Sequence, residues 1–154
     1  MTRSPSGIYT DKNIERILAL AEQVRREGFP ELPDVTITVK PLDDVYGEYS
    51  YLRGKYLIFI NSNLLAVEDS ILRGLLAHEF SHCVRDVKRP PKVRKKSFKR
   101  YNHHARVRRR EEEQTDLEAI KRGYAKDLYQ LACYIENNSV LEEGLPSKEI
   151  LKYF

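Results

Sequence analysis

Three side chains that can do metal chemistry together lie within five residues of the sequence, at His78, Glu79 and His82. The apolar residues around them recur at helical spacing and predict a helix from about Glu68 to Arg85. Residues four apart on a helix lie one turn above each other, so the two imidazoles would point the same way. Such a pair can bind one Zn²⁺, and Glu79 could then reach a water on the metal as a general base.

A catalytic zinc site needs a third protein ligand, because its usual set is three protein groups and one water. One source is the acidic run that contains Glu112 and Asp116, which are four residues apart and so share a helix face. Glu112 could bind the metal there, while Asp116 accepts a hydrogen bond from a metal-bound imidazole. Glu111 points off that face and is expected to pair with neighbouring arginines. The alternative ligands are His103 and His104, beside a strongly basic stretch.

The residues before the predicted helix indicate a small sheet. Alternating apolar and polar residues predict a strand from Asp34 to Lys40, and a tyrosine-rich run predicts an edge strand from Tyr46 to Leu52. The largely apolar run from Lys55 to Ile60 predicts the central strand, and Arg53-Gly54 predicts a tight hairpin turn before it. A helix from about Asp11 to Glu27 has one apolar face that would cover the sheet. The edge strand could pair with an extended peptide, or its tyrosines could simply cover a sheet face.

The rest of the chain reads as helical. Helical spacing predicts a helix that begins near Ala105 and ends near Gly123, another from about Ala125 to Glu136, and a short turn from Pro146 to Leu151. We therefore predict one domain over residues 1–154, of the α+β class. In it a small antiparallel or mixed three-stranded sheet packs on the helix with the two histidines, and a helical C-terminal half follows.

Positive charge is concentrated in one part of the sequence. Twelve of the chain's 27 Lys and Arg residues, and none of its 23 Asp and Glu residues, lie between Val87 and Arg110. Because Pro90 and Pro91 interrupt helices, residues 87–105 are expected to form a basic surface loop. Residues 88–110 could attract an acidic partner, nucleic acid included, with Phe98 and Tyr101 available to stack on bases.

The apolar runs and the cysteines of the sequence bear on the cellular compartment of the protein. No apolar run approaches the roughly 20 residues of a membrane span, and the N-terminus carries no apolar signal-peptide core. Cys83 and Cys133 lie in predicted helices and are expected to be free thiols. We expect a cytoplasmic protein with no membrane association.

The pattern His-Glu-x-x-His, followed on a later helix by Glu-x-x-x-Asp, resembles that of the gluzincin metallopeptidases. The short chain and its order of elements look most like the minigluzincins and the HtpX-like group. The resemblance covers roughly residues 11–137, and its specific part is residues 78–82 and 112–116. It implies a zincin-like fold in which His78, His82 and Glu112 bind zinc, Glu79 is the base and Asp116 orients a histidine. Thr115 departs from the small Ala that HtpX-like members usually carry before the Asp.

The resemblance also implies an activity, the hydrolysis of peptide bonds in a peptide or protein substrate, and latency caused by a terminal segment. The tail from Glu142 to Phe154 is the candidate lid. For the residue that stabilises the oxyanion we name Tyr124, with Tyr101, His103 and His104 as alternatives. Two other functions are compatible with the sequence: a SprT-like DNA-associated zinc protease with a histidine as third ligand, and a nucleic-acid-binding module whose zinc is structural.

Overall fold

A computed structural model of the chain describes residues 11–138 and 144–154, apart from the side chains at positions 11 and 95–98. It shows a small sheet and a mostly helical remainder, so the α+β class is confirmed. The helices are α1 (Asp11–Gly28), α2 (Asp69–Val87), α3 (Pro91–His103), α4 (Ala105–Lys121), α5 (Ala125–Asn138) and α6 (Ser147–Ile150). The strands are β1 (Val35–Lys40), β2 (Gly47–Leu52) and β3 (Lys55–Asn61). Within these ranges no helix is both long enough and apolar enough to cross a bilayer.

The sheet is mixed and has the order β1-β3-β2. Strand β3 runs parallel to β1 and antiparallel to β2, so it is central and β2 is an edge strand, as the sequence predicts. Arg53 and Gly54 both have positive φ angles, 52° and 79°, which is the backbone of a two-residue type I′ hairpin turn. The turn fixes the register of the hairpin, and the register places Tyr49 opposite Ile58.

Helix α2 is the central element of the core, since it packs against α1, α4, α5, β2 and β3. Leu72, Leu76 and Phe80 on α2 are almost fully buried. Gly74 allows α5 to approach closely: a Cβ at this position would lie 2.5 Å from the backbone oxygen of Asp127. This packing holds α2 rigidly against the helices that follow it in the chain.

The expectation of a loop over residues 87–105 is wrong for residues 91–103, which form α3. Pro91 occupies the first turn of that helix, where a residue without an N–H is tolerated because the first amides have no intrahelical partner. The helix packs on α4. Arg94 joins it to the body by donating to the backbone oxygens of Val87 and Arg89 and to the hydroxyl of Tyr56.

The C-terminal segment folds back over α5. Ser147 donates from its backbone nitrogen and from Oγ to the carboxylate of Glu136, at 2.8 and 2.7 Å. Ile150 is buried, and the ring of Phe154 meets Tyr129 edge to face with centroids 5.3 Å apart. Of the predicted tail 142–154, positions 142 and 143 lie outside the described residues. That the tail acts as a lid stays a prediction.

Candidate metal centre

Two histidines from α2 and one glutamate from α4 converge on a single point. Nε2 of His78 lies 2.8 Å from one carboxylate oxygen of Glu112, and Nε2 of His82 lies 3.2 Å from the other. One ligand atom from each of the three residues lies within 4.8 Å of the other two. Zinc bonds of about 2.0–2.2 Å to nitrogen and oxygen need ligand atoms about this close together. The three residues predicted as ligands can therefore hold one metal ion.

The helical period explains why these side chains meet. His78 and His82 stand one turn apart on α2, with ring centroids separated by 4.7 Å and planes nearly perpendicular, at 89°. Glu112 is buried at the contact of α4 with α2. Burial alone would raise the pKa of Glu112, but the adjacent imidazoles outweigh it and hold that pKa well below the usual range. The carboxylate is consequently ionised and suited to bind a cation.

Asp116 holds the ring of His78 in place. Its Oδ1 lies 2.6 Å from Nδ1 of His78, and its Oδ2 accepts a hydrogen bond from the backbone nitrogen of Leu145 at 2.8 Å. Burial disfavours the charged form of His78, but Glu112 and Asp116 outweigh it and raise the pKa of His78 well above its usual value. Asp116 fixes one proton on Nδ1, so Nε2, which faces Glu112, is the nitrogen that would bind a metal after giving up its proton.

Thr115 contacts a candidate metal ligand, a position that sequence reasoning did not predict for it. Its Oγ1 lies 3.3 Å from Nδ1 of His82 and donates to the backbone oxygen of Glu111 at 2.7 Å. Because the hydroxyl proton is used by Glu111, the oxygen can accept from Nδ1 of His82. Each histidine thus has its own orienting oxygen. The sequence showed this position only as a departure from the Ala of HtpX-like proteins.

Glu79 is buried, with 4% of its surface exposed, and it lies on α2 next to both histidines. Among the buried side-chain nitrogen and oxygen atoms of the described residues, Oε2 of Glu79 alone has no hydrogen-bond partner. Burial raises the pKa of this carboxyl group. Gly47, the first residue of β2, lies close by, since a Cβ there would stand 3.1 Å from Oε1. A buried carboxylate oxygen without a partner, next to three convergent ligands, fits a base that meets a water at the metal.

Tyr124 does not reach the cluster, so its assignment as oxyanion stabiliser has no support from its position. Its hydroxyl donates to the backbone oxygen of Val24 on α1, at 3.4 Å, and its ring stacks on Phe29 in the core. Gly123, whose φ is +99°, forms the turn between α4 and α5. Tyr124 comes directly after this turn, and its side chain points into the core. Only 8% of Tyr124 is exposed, and it does not line the cavity beside the metal ligands.

Tyr101 does reach the cluster: its hydroxyl donates to Oε1 of Glu112. It comes from α3, the helix that the sequence did not predict. His103 and His104, the alternative third ligands, are exposed and lie outside the group of ligand atoms. Of the four side chains considered for the oxyanion, the structure brings only Tyr101 to one of the candidate ligands, Glu112.

A cavity of about 750 Å³ contains the cluster. One wall comes from the start of β2, where Gly47, Glu48 and Tyr49 line it, and the ring of Tyr49 lies parallel to that of His82. Side chains of α3 and α4 also line the cavity, as do Leu145 and Pro146 of the C-terminal segment. Glu111, another lining residue, pairs with Arg85 and Arg89, as expected for this carboxylate. Further lining residues are apolar: Leu75, Leu128, Leu131, Ala132 and Ile135.

Comparison with known proteins yields no relative. No family model matches the chain, and no curated protein and no solved structure matches it. The likeness to gluzincins therefore rests on the motif residues, and a function has to be argued from the geometry of the site.

Proposed function

We propose that this chain is a zinc-dependent metallopeptidase that hydrolyses peptide bonds, with Glu79 as general base. The observation that carries the proposal is the partnerless, buried oxygen of Glu79 beside the convergent atoms of His78, His82 and Glu112. Two imidazoles and one carboxylate are a ligand set of catalytic zinc sites, which leave a coordination position open. A cavity large enough for a peptide segment surrounds that position.

The three ligands would hold the metal, and Glu79 would move the proton. When bound, Zn²⁺ would polarise the scissile carbonyl and lower the pKa of a water molecule toward about 7. Oε2 of Glu79 accepts a proton from the attacking water and later returns it to the leaving amine. The burial that raises the pKa of Glu79 suits this double role, because the group has to be a base first and an acid afterwards.

Tyr101 is the hydroxyl donor that we assign to the oxyanion. Its hydroxyl is already at the cluster, where it donates to Glu112. In the substrate complex the same hydroxyl would donate to the oxygen of the scissile carbonyl as negative charge develops on it. Donors placed in advance at such an oxygen typically contribute 10²–10³ in turnover number.

The substrate enters as an extended peptide along β2. Among the described residues this strand pairs only with β3, which leaves its other edge open, and its first residues line the cavity. An extended chain that adds to a sheet edge gains backbone hydrogen bonds without regard to its sequence. The apolar side chains of α5 that line the cavity would receive side chains of that peptide.

The two alternative functions lack an observation in their favour. His103 and His104 are exposed and away from the cluster, so a site with a histidine as third ligand has no geometric support. A structural zinc site is closed by four protein ligands, whereas the described residues supply one group of three next to a cavity.

The experiment that tests the proposal compares Glu79→Gln with the wild type and with Glu113→Gln, which makes the same change of charge outside the cluster. Each protein is loaded with zinc and incubated with denatured casein and with a random peptide mixture. We expect Glu79→Gln to keep one zinc per chain and lose at least about 10³-fold in cleavage, while Glu113→Gln cleaves as the wild type does. Cleavage by Glu79→Gln at the wild-type rate, or a zinc-loaded wild type that cuts neither substrate, would contradict the proposal.

A further inference from the structure

We propose that the backbone of Gly144 and Leu145 is a working part of the metal centre, because it fixes Asp116 and through Asp116 the ligand His78. This inference rests on the proposed zinc site and adds a positioning role for a segment more than 20 residues beyond Glu112. It assigns to the C-terminal segment the support of metal binding, which differs from the role of a lid.

A continuous chain of hydrogen bonds joins the segment to the ligand. The N–H of Leu145 donates to Oδ2 of Asp116 at 2.8 Å, and Oδ1 of the same carboxylate lies 2.6 Å from Nδ1 of His78. Asp116 is 5% exposed, so water has little access to replace either bond. A carboxylate held at both oxygens cannot rotate freely, and the imidazole bonded to it keeps its orientation.

Gly144 makes this contact sterically feasible. A Cβ built on Gly144 would lie 2.4 Å from Oδ2 of Asp116, well inside any distance that real side chains adopt. Any other residue would therefore push either the segment or the carboxylate away, and the bond from Leu145 would lengthen. The absence of a side chain at this position is a requirement of the site.

The segment is held in place by contacts that do not involve the metal ligands. Ser147 is bound twice to Glu136 on α5, and Ile150 is almost completely buried. Leu145 itself packs against the core. Because these contacts anchor the segment independently, the N–H of Leu145 is positioned before a metal arrives, and it can act on Asp116 as a fixed donor.

The two histidines differ in this support. Nδ1 of His82 on α2 lies 3.3 Å from the hydroxyl of Thr115 on α4. His78 alone is connected to the C-terminal segment. Loss of an outer partner of a metal-bound histidine typically weakens metal binding 10–100-fold. Removing the donor at position 145 leaves Asp116 beside His78 but frees its carboxylate to rotate, so we expect a loss at the lower end of that range.

The test uses Leu145→Pro, which deletes the donor N–H, beside Leu145→Ala, which keeps the N–H and shortens the side chain. Gly144 precedes the new proline, and glycine tolerates the backbone that a following proline demands. Gly144→Ala is the second disruptive variant, acting by steric clash. Zinc affinity is measured by competition with a chromophoric chelator, the visible absorption spectrum of the Co²⁺ form reports ligand geometry, and circular dichroism checks the fold.

We expect Leu145→Pro and Gly144→Ala to bind zinc about 10-fold more weakly than the wild type and to show altered Co²⁺ spectra. Leu145→Ala should stay within about 3-fold of the wild type, because its amide is intact. Equal affinity in Leu145→Pro and Leu145→Ala would overturn the inference, as would a wild-type Co²⁺ spectrum in a folded Gly144→Ala. A wild type that binds no zinc would instead overturn the proposed function, so the two failures are distinguishable.

Discussion

The hydroxyl of Thr115 stands 3.3 Å from Nδ1 of His82, and its own proton is given to the backbone oxygen of Glu111. The two contacts together mean that the Thr115 oxygen accepts from His82, so Nε2 of that imidazole is free to bind a metal. Asp116 is the corresponding acceptor at Nδ1 of His78. The proposed metal centre would therefore use the neutral oxygen of Thr115 for His82 and the carboxylate of Asp116 for His78.

Thr115→Val is expected to weaken zinc binding by up to about 10-fold, because it removes the acceptor of His82 and nearly preserves the side-chain shape. Thr115→Ser is the matched control and should bind zinc as the wild type does. Chelator competition on the three proteins measures the difference. Equal affinities for Thr115→Val and Thr115→Ser would show that His82 needs no acceptor here.

Tyr101→Phe should lower the turnover number by about 10²–10³, the usual cost of losing one oxyanion donor. Its control is Tyr124→Phe, which removes the hydroxyl in the core that donates to Val24. That variant should keep the wild-type turnover number and lose only about 1 kcal/mol of unfolding free energy. Steady-state kinetics on a cleaved peptide, with urea unfolding beside it, separates the two. A larger kinetic loss in Tyr124→Phe would reverse the assignment.

Glu111 should make the protein sensitive to acid. Burial would raise its pKa, but the guanidinium groups of Arg85 and Arg89 outweigh burial and lower it. When folding lowers the pKa of a carboxyl group, that group contributes to the free energy of unfolding. The contribution is fully present above the pKa of the group in the unfolded chain, about 4.3 for a glutamate. That contribution is lost as the pH falls through the folded pKa.

Glu111→Gln should therefore cost about 1–3 kcal/mol of unfolding free energy at pH 7, since it leaves two partly buried arginines without their carboxylate. The difference in unfolding free energy between variant and wild type should disappear as the pH falls below about 4. Urea unfolding at a series of pH values measures this difference, with Glu113→Gln as control. A gap that is independent of pH would mean that the ion pairs contribute nothing.

Cys83 should be unreactive in the folded protein. Its side chain is buried, and burial raises the pKa of the thiol to about 12, so almost no thiolate exists at pH 8. Cys133 is partly exposed and should react first. Labelling with a thiol-specific disulfide reagent at pH 8, followed by mass mapping, should find Cys133 modified early and Cys83 only in denaturant. Fast labelling of Cys83 in the native protein would contradict its buried position.

The local part of the site could be predicted from sequence because it depends only on helical period. His78 and His82, and likewise Glu112 and Asp116, are four residues apart, and a helix brings such pairs to one face wherever it lies. The hairpin was predictable for a similar reason, since Arg53-Gly54 can adopt the positive φ angles of a tight turn. The helix boundaries differ from those expected by at most a few residues.

The parts that the sequence did not predict depend on packing between distant elements. A proline pair predicts a break in a helix, but proline is favourable in the first turn of a helix, and α3 begins at Pro91. Whether Tyr101 or Tyr124 reaches Glu112 depends on how α3 lies against α4 and on the turn at Gly123. The hydrogen bond from Leu145 to Asp116 could not be predicted from the residue type at position 145, because its donor is a backbone amide.

The central claim is that His78, His82 and Glu112 bind one zinc ion, and its most direct test is the metal content of the purified chain beside Glu112→Ala. Glu113→Ala is the matched control, one position along the same helix and outside the ligand group. After addition of zinc and removal of the excess, we predict one zinc per chain in the wild type and in Glu113→Ala, and little or none in Glu112→Ala. Zinc retained at full stoichiometry in Glu112→Ala, or no zinc in the wild type, would contradict the account.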